Sequence, residues 1–164
     1  MNAMVFEIVV VSNTPLTPHE DLDDAAVRFL RQVGYLDRGA DDEANMRESV
    51  AYKLFRDCFL LRPDKTWTVE ELITGLDTSR PTIYRHLNKL KALDILEESS
   101  IREEGEPNPR KTYRLRYGNL AKSWNFVEAN VKIAMENYRK SAEHLQALAE
   151  RAVHAPAKKQ EVKR

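Results

Sequence analysis

Apolar and small side chains recur at alternating spacings of four and three residues through the C-terminal part of the chain. The series is Leu120, Trp124, Val127, Val131, Ala134, Tyr138, Ser141, Leu145, Leu148 and Ala152, in which only Ser141 is polar. This heptad repeat predicts one long helix with a single apolar seam. At ~1.5 Å per residue such a helix is ~50 Å long, more than a domain of this size can cover. We therefore expect residues 118–153 to form a coiled-coil dimerisation helix. The alternative is a helix packed back on its own domain.

Composition limits the chain to one compact domain with extensions. Its 164 residues are 42% hydrophobic and 32% charged, within the globular range. One cysteine, Cys58, excludes an internal disulfide framework, and the four histidines show no paired metal-ligand spacing. Neither a phosphate-binding glycine loop nor a GxSxG or HExxH motif occurs. We expect a protein with no metal, no cofactor and no enzymatic activity. No apolar run reaches the ~20 residues of a membrane span, so we expect it to be cytoplasmic.

The N-terminal segment, residues 1–43, predicts a strand followed by a helix. Met4–Val11 is apolar and β-branched, which indicates a strand buried on both faces that must pair with another strand in this chain or in a partner. Thr17 and the proline after it are typical of a helix start, and Gly34 of a helix end. Between them, Leu22, Ala26, Phe29 and Val33 give an apolar face.

The segment 44–117 predicts helices followed by a hairpin. A helix starts near Asn45, and its apolar residues are Met46, Val50, Leu54, Cys58 and Leu61. Thr68 and Glu71 have the spacing of a capping box, which opens a short helix, Val69 to Gly75. A further helix follows over residues 79–93. Ile95–Leu96 and Lys111–Tyr117 indicate two strands around a polar loop.

Helix 79–93 divides into an apolar face and a polar face. Ile83, Leu87 and Leu90 share one side at helical spacing, and the stretch from Thr78 to Leu93 carries four basic residues and no acid. Arginine can make two hydrogen bonds to guanine, and asparagine can pair with adenine. The predicted base-reading residues are Arg80, Pro81, Thr82, Tyr84, Arg85, Asn88 and Lys89. The alternative is a solvated face of a protein-binding domain.

The loop of the hairpin, residues 102–111, is the candidate wing. Its predicted phosphate contacts are Arg102, Arg110, Lys111 and Arg114. Phosphates would repel the three glutamates in the same loop. We therefore expect only Arg110 and Lys111, where the chain returns toward the second strand, to contact DNA. The alternative is a surface hairpin without a binding role.

The stretch Thr78–Leu96, TSRPTIYRHLNKLKALDIL, resembles the recognition helix and wing entry of small prokaryotic, especially archaeal, transcription regulators of the broad ArsR/MarR/TrmB-like superfamily. The resemblance covers residues 44–117. It implies a mainly α (α+β) winged helix-turn-helix fold and a DNA-binding role. Metal sensors of the ArsR group carry paired cysteines on a helix, and this chain has Cys58 alone.

Charge is balanced overall but graded along the chain. Residues 1–48 contain ten acids and four bases, a net charge of −6, whereas residues 78–117 contain six acids and nine bases, a net of +3. Residues 154–164 form a basic tail that we expect to be disordered.

The sequence thus predicts a homodimeric, sequence-specific regulator that binds double-stranded DNA. One alternative is a winged-helix interaction subunit of a transcription, replication or segregation complex. Another is an effector-sensing regulator that uses residues 1–40.

Overall fold

The structure is a computed structural model that describes residues 5–10, 21–37 and 42–155. In chain order its elements are α1 (Leu22–Gln32), α2 (Glu43–Glu48), α3 (Val50–Lys53), a π-helix (Leu54–Leu60), α4 (Val69–Leu76), α5 (Arg80–Ala92), β1 (Leu96–Ile101), β2 (Arg110–Leu115), a 3-10 turn (Arg116–Gly118) and α6 (Leu120–His154). The chain divides into two compact units, Met1–Val127 and Glu128–Arg164. Within the described ranges, no helix has the length and apolar character needed to cross a membrane.

The core of the first unit joins α1, the π-helix, α4, α5 and the hairpin. Its fully buried side chains include Val27, Leu30, Leu54, Phe55, Phe59, Leu72, Ile83, Leu87, Leu90, Ile95, Leu115 and Val127. α4 starts with the predicted capping box, in which the Thr68 hydroxyl accepts from the Glu71 N–H and the Glu71 carboxylate accepts from the Thr68 N–H. The capping box fixes the start of α4, and the buried Leu72, Ile83 and Leu87 hold α4 and α5 in the core.

The prediction of one continuous helix from Asn45 to Leu61 is wrong. Ser49 has extended backbone angles (φ −70°, ψ 149°) and caps α3, because its hydroxyl accepts from the Tyr52 N–H. Beyond Lys53 the chain continues as a π-helix, and the Leu61 N–H donates to the Arg56 carbonyl five residues earlier. The apolar spacing did place Met46, Leu54 and Cys58 in the core, but Leu61 is 47% exposed.

Trp67 connects the end of the π-helix to the hairpin. Its indole Nε1 donates to the Cys58 carbonyl at 2.8 Å. Its backbone N–H and carbonyl exchange hydrogen bonds of 2.8 Å with Tyr113 of β2, which adds an isolated bridge to the two-stranded sheet. The Cys58 thiol is buried, and burial raises its pKa to about 11, so it remains protonated at neutral pH.

The hairpin differs from its predicted bounds at both strands. β1 extends from Leu96 to Ile101 and not only over Ile95–Leu96, because its later residues pair with the whole of β2. β2 ends at Leu115, two residues before the predicted end at Tyr117. There the backbone turns through a positive φ of 58° at Tyr117, which no strand permits.

The predicted N-terminal strand does not form in its described part. Residues 5–10 belong to no strand, and Val5 and Val10 are 70% and 71% exposed, so burial on both faces is wrong. The Glu7 N–H instead donates to the Ala92 carbonyl at the end of α5, at 3.0 Å. Helix carbonyls thus take the place of the expected strand partner.

Helix α1 begins at Leu22, and its N-cap is Asp21, whose carboxylate accepts from the Asp24 N–H. The predicted start at Thr17 lies outside the described residues. The predicted end is confirmed, since Gly34 follows α1 with a φ of +86°.

Helix α6 begins at Leu120, two residues after the predicted start at 118, and ends at His154, one residue beyond the predicted end at 153. In the first unit, Trp124 meets the Phe29 ring edge-on at a centroid distance of 5.6 Å, and Val127 is completely buried. This corrects the dimerisation role expected of Val127, because a side chain with no exposed surface cannot contact a second copy. Helix α6 includes His154, which the sequence placed in the disordered tail, and residues 156–164 of that tail lie outside the described residues.

The substitution Trp67→Phe leaves the buried Cys58 carbonyl without its hydrogen-bond donor. We expect the loss of this bond alone to lower the free energy of unfolding by ~1–3 kcal/mol. Denaturant unfolding followed by circular dichroism measures this change. Trp124→Phe is the control, because the Trp124 indole N–H bonds to none of the described residues. An equal loss in the two variants would contradict the prediction.

Candidate nucleic-acid interface

Helix α5 is anchored by its apolar face and leaves its opposite face in solvent. The Ser79 side chain accepts from the Thr82 N–H as N-cap, and Pro81 lies in the first turn, where its missing N–H costs no intrahelical bond. Ile83, Leu87 and Leu90 are fully buried, while Pro81, Tyr84, Arg85, Asn88 and Lys89 are exposed and Thr82 is half-buried. The structure therefore places the predicted base-reading residues on one accessible side of the domain, with Thr82 at its border.

Within that set, the side chains differ in how they are held. Arg80 donates to Glu70 of α4, with 3.0 Å between Nη2 and Oε1. The hydrogen bond to Glu70 raises the pKa of Arg80, so the Arg80 guanidinium remains positively charged. In contrast, Arg85, Asn88 and Lys89 form no hydrogen bond or ion pair with any residue in the described ranges. These three side chains are available to an external ligand.

His86 lies between Arg85 and Lys89 in the sequence of α5. It is half-buried, and its Nδ1 is buried and accepts no hydrogen bond from the described residues. Burial lowers the pKa of His86 below the usual 6.5, and the positive charges of Arg85 and Lys89 lower it further. The imidazole is therefore neutral at pH 7, and the exposed face carries its charge on Arg85 and Lys89.

The basic residues of the hairpin lie opposite acids. Glu97 and Arg114 are direct cross-strand partners, with 2.8 Å between Oε2 and Nε. Glu98 lies 3.3 Å from the Lys111 amine and 3.5 Å from the Lys91 amine. The cross-strand register brings Glu97 to Arg114 and Glu98 near Lys111, as expected for opposite charges on an antiparallel sheet. The Lys91 pair instead comes from the packing of α5 on β1.

At the loop tip, Arg110 forms two hydrogen bonds with Glu106. Arg102 is exposed and forms no ion pair within the described parts of the chain. Of the four predicted phosphate contacts, Arg102 is thus the one whose charge is not balanced by a neighbouring carboxylate.

Sequence reasoning missed two features of this surface. The acids Glu70, Glu97 and Glu98 pair with predicted contact residues, and only the helix packing and the hairpin register bring them together. Arg116 fixes the base of the hairpin, since it donates to the Asp94 carboxylate at 2.7 Å and lies 4.5 Å from the centre of the Phe126 ring. Its role was hidden because Asp94 comes close only through a left-handed turn, with a φ of 63°.

The part of the chain that contains α4 and α5 is similar to a known protein family. Residues 48–99 match the family model described as "Helix-turn-helix domain". With the hairpin that follows α5, the observed order is helix, helix-turn-helix and wing. The chain contains a winged helix-turn-helix domain. This confirms the resemblance to winged helix-turn-helix transcription regulators and the mainly helical fold class, and a domain of this kind is typical of DNA-binding regulators.

A solved structure, titled "Possible transcriptional regulator from Methanosarcina mazei Go1", is similar at 18% sequence identity. The similarity covers 58% of this chain and 77% of that chain, with a TM-score of 0.41. No curated protein matches the chain. Among the residues that the structure describes, no three His, Cys, Asp or Glu side chains are grouped so that they could hold a metal ion.

The lowered pKa of His86 predicts a pH dependence of stability. The unfolded chain takes up a proton with the ordinary pKa near 6.5, whereas the winged helix-turn-helix domain resists protonation there. The free energy of unfolding therefore falls as the pH drops through 6.5 and stops falling below the folded-state pKa.

The measurement is denaturant unfolding across this pH range, together with NMR titration of the His86 ring. His86→Gln is the control, because glutamine does not titrate and should remove this component. A folded-state pKa at or above 6.5 would contradict the prediction.

Proposed function

We propose that the protein is a homodimeric, sequence-specific DNA-binding transcription regulator. Helix α5 enters the major groove, the hairpin loop at residues 102–111 follows the phosphate backbone, and the distal part of α6 pairs with a second copy. Because the dimer has a two-fold axis, its two α5 helices read two half-sites of a pseudo-palindrome. Control then acts through occupancy of a promoter and requires no chemistry.

The observation that carries this proposal is the exposed, acid-free face of α5. Arg85, Asn88 and Lys89 point away from the buried Ile83 and Leu87 and are unpaired within the described ranges. Arginine and asparagine are the side chains that recognise guanine and adenine by paired hydrogen bonds. A solvated face needs no particular composition, but this one combines donors suited to base edges with the lack of any carboxylate on α5 itself.

The hairpin supports a backbone contact rather than a base contact. Lys111 is exposed although it lies near Glu98, and Arg102 is exposed without a partner among the described residues. Phosphate contacts of this kind set position and affinity but carry no sequence information. Arg114 is held across the strands by Glu97, so its contribution to binding is the smaller one.

The distal seam of α6 supports the dimer. Tyr138, Leu145 and Leu148 are 67%, 67% and 44% exposed, although they continue the heptad spacing. A second copy with the same seam would bury all three, and each buried leucine contributes about 1.5–3 kcal/mol. Val131 and Ala134, which are half-buried, extend the seam toward the N-terminus of the helix.

The alternative is a winged-helix subunit that binds protein. A salt titration with random-sequence duplex separates the two functions, because phosphate contacts give a steep linear fall of log affinity with log salt. Absence of duplex binding at low salt would overturn the proposed function in favour of the protein-binding subunit.

The base-reading role predicts the effect of Arg85→Ala. We expect this change to cost ~1–3 kcal/mol of binding to a duplex selected from a random pool, and to relax selection at one base position. Binding to random duplex should change little.

Repeating the selection with the variant measures both effects. Arg139→Ala removes the same charge from an exposed position on α6 and should keep the parent's preference. If Arg85→Ala retains the parent's selectivity in a folded domain, α5 is not the reader.

The dimer seam predicts the effect of replacing Leu145 and Leu148 by aspartate. The double variant loses the buried leucine surface and places like charges at adjacent layers of the seam, so it should be a monomer with weak operator binding. Sedimentation equilibrium measures the mass against ~38 kDa, twice the 19.0 kDa chain.

The matched control is Gln146→Asp with Ala147→Asp, which adds the same two charges to the same turn but off the seam. This control should stay dimeric. Persistence of the dimer in the Leu145 and Leu148 double variant would show that the seam is not the interface.

A further inference from the structure

The tip of the hairpin contains an ion pair that is fixed at both ends. Arg110 donates from Nε to Glu106 Oε2 at 3.0 Å and from Nη2 to Oε1 at 2.8 Å, so the two groups meet as a planar fork. The Arg110 backbone is held in the strand ladder opposite Ile101. The Glu106 N–H donates to the Glu103 carbonyl, directly after Gly105 with its φ of +87°.

Other carboxylates also stabilise the positive charge of Arg110. Glu106 raises the pKa of Arg110 most strongly, and the negative charges of Glu103 and of Glu70 on α4 act in the same direction. An exposed ion pair contributes little to folding stability in general. Its effect on a polyanion is different, because a phosphate that approaches Arg110 meets a guanidinium already matched by a carboxylate.

We propose that Glu106 is an affinity-setting residue, whose carboxylate acts as a built-in counterion of Arg110 and lowers the affinity for DNA of any sequence. This inference rests on the proposed function and deepens it. A phosphate contact contributes equally to binding of every sequence, so an acid that neutralises it lowers the affinity for all duplexes. Discrimination between sequences depends on the exposed face of α5 and is not changed by this pair.

Counterion release makes the effect measurable. Each phosphate that a protein neutralises adds about −0.9 to the slope of log affinity against log salt. In the parent protein, the Arg110–Glu106 pair has no net charge and adds little to the slope. The variant Glu106→Gln frees Arg110, so the slope should become more negative by ~0.9, and the ratio of affinities at about 50 and 200 mM salt should rise about threefold.

Glu104 provides the matched control. It lies in the same loop two residues away, is exposed, and forms no ion pair or hydrogen bond with the described part of the chain. Glu104→Gln removes the same charge but releases no arginine. Its slope should stay near that of the parent, and any small gain in affinity measures the general effect of one less acid in the wing.

The experiment measures binding of the full-length parent, Glu106→Gln and Glu104→Gln to a duplex of random sequence over a series of salt concentrations. Arg110→Ala and the double variant with Glu106→Gln complete the set. We expect Glu106→Gln to steepen the slope only where Arg110 is present. Circular dichroism confirms that each variant is folded.

Equal slopes for Glu106→Gln and Glu104→Gln, or an effect of Glu106→Gln that persists without Arg110, would overturn the inference while the proposed function stands. A parent protein that binds no duplex at low salt would overturn the proposed function itself, and the inference with it.

Discussion

The hydrogen bond from the Trp67 indole to the Cys58 carbonyl is the contact on which the first unit depends. In the π-helix, the carbonyl of Cys58 would accept from the residue five positions later, which is Pro63 and has no N–H. Trp67 supplies the missing donor from the side and also bridges to Tyr113 of β2. Trp67 thus links the π-helix to β2 directly before Thr68, the N-cap of α4.

Sequence patterns predicted those elements that local chemistry decides. The capping box at Thr68 and Glu71 is a contact between neighbours, and the faces of α5 follow from helical spacing alone. The π-helix, the left-handed Tyr117 and the pairing of Arg114 with Glu97 could not be predicted in this way. Each depends on a partner that is distant in sequence or on a cross-strand register.

The heptad repeat of α6 shows the limit of a periodic pattern. The repeat predicted the length of the helix well, because its spacing continues from Leu120 to Ala152. It did not distinguish Val127, which is buried in its own chain, from Leu145, which is 67% exposed. The same seam can therefore contact the domain at its start and a second copy farther on, since an apolar stripe specifies burial but not the partner.

The paired charges of the hairpin have a related explanation. A hairpin with unpaired basic residues would strengthen binding to every duplex alike, because phosphate contacts carry no sequence information. Here Arg110 and Arg114 each lie against a carboxylate, whereas Arg85 and Lys89 on α5 do not. In the proposed complex, the unpaired positive charges of α5 therefore face the base edges. The positive charges of Arg110 and Arg114 in the hairpin, which would face only phosphates, are balanced by carboxylates. The positions of the acidic residues thus indicate function as much as those of the basic residues.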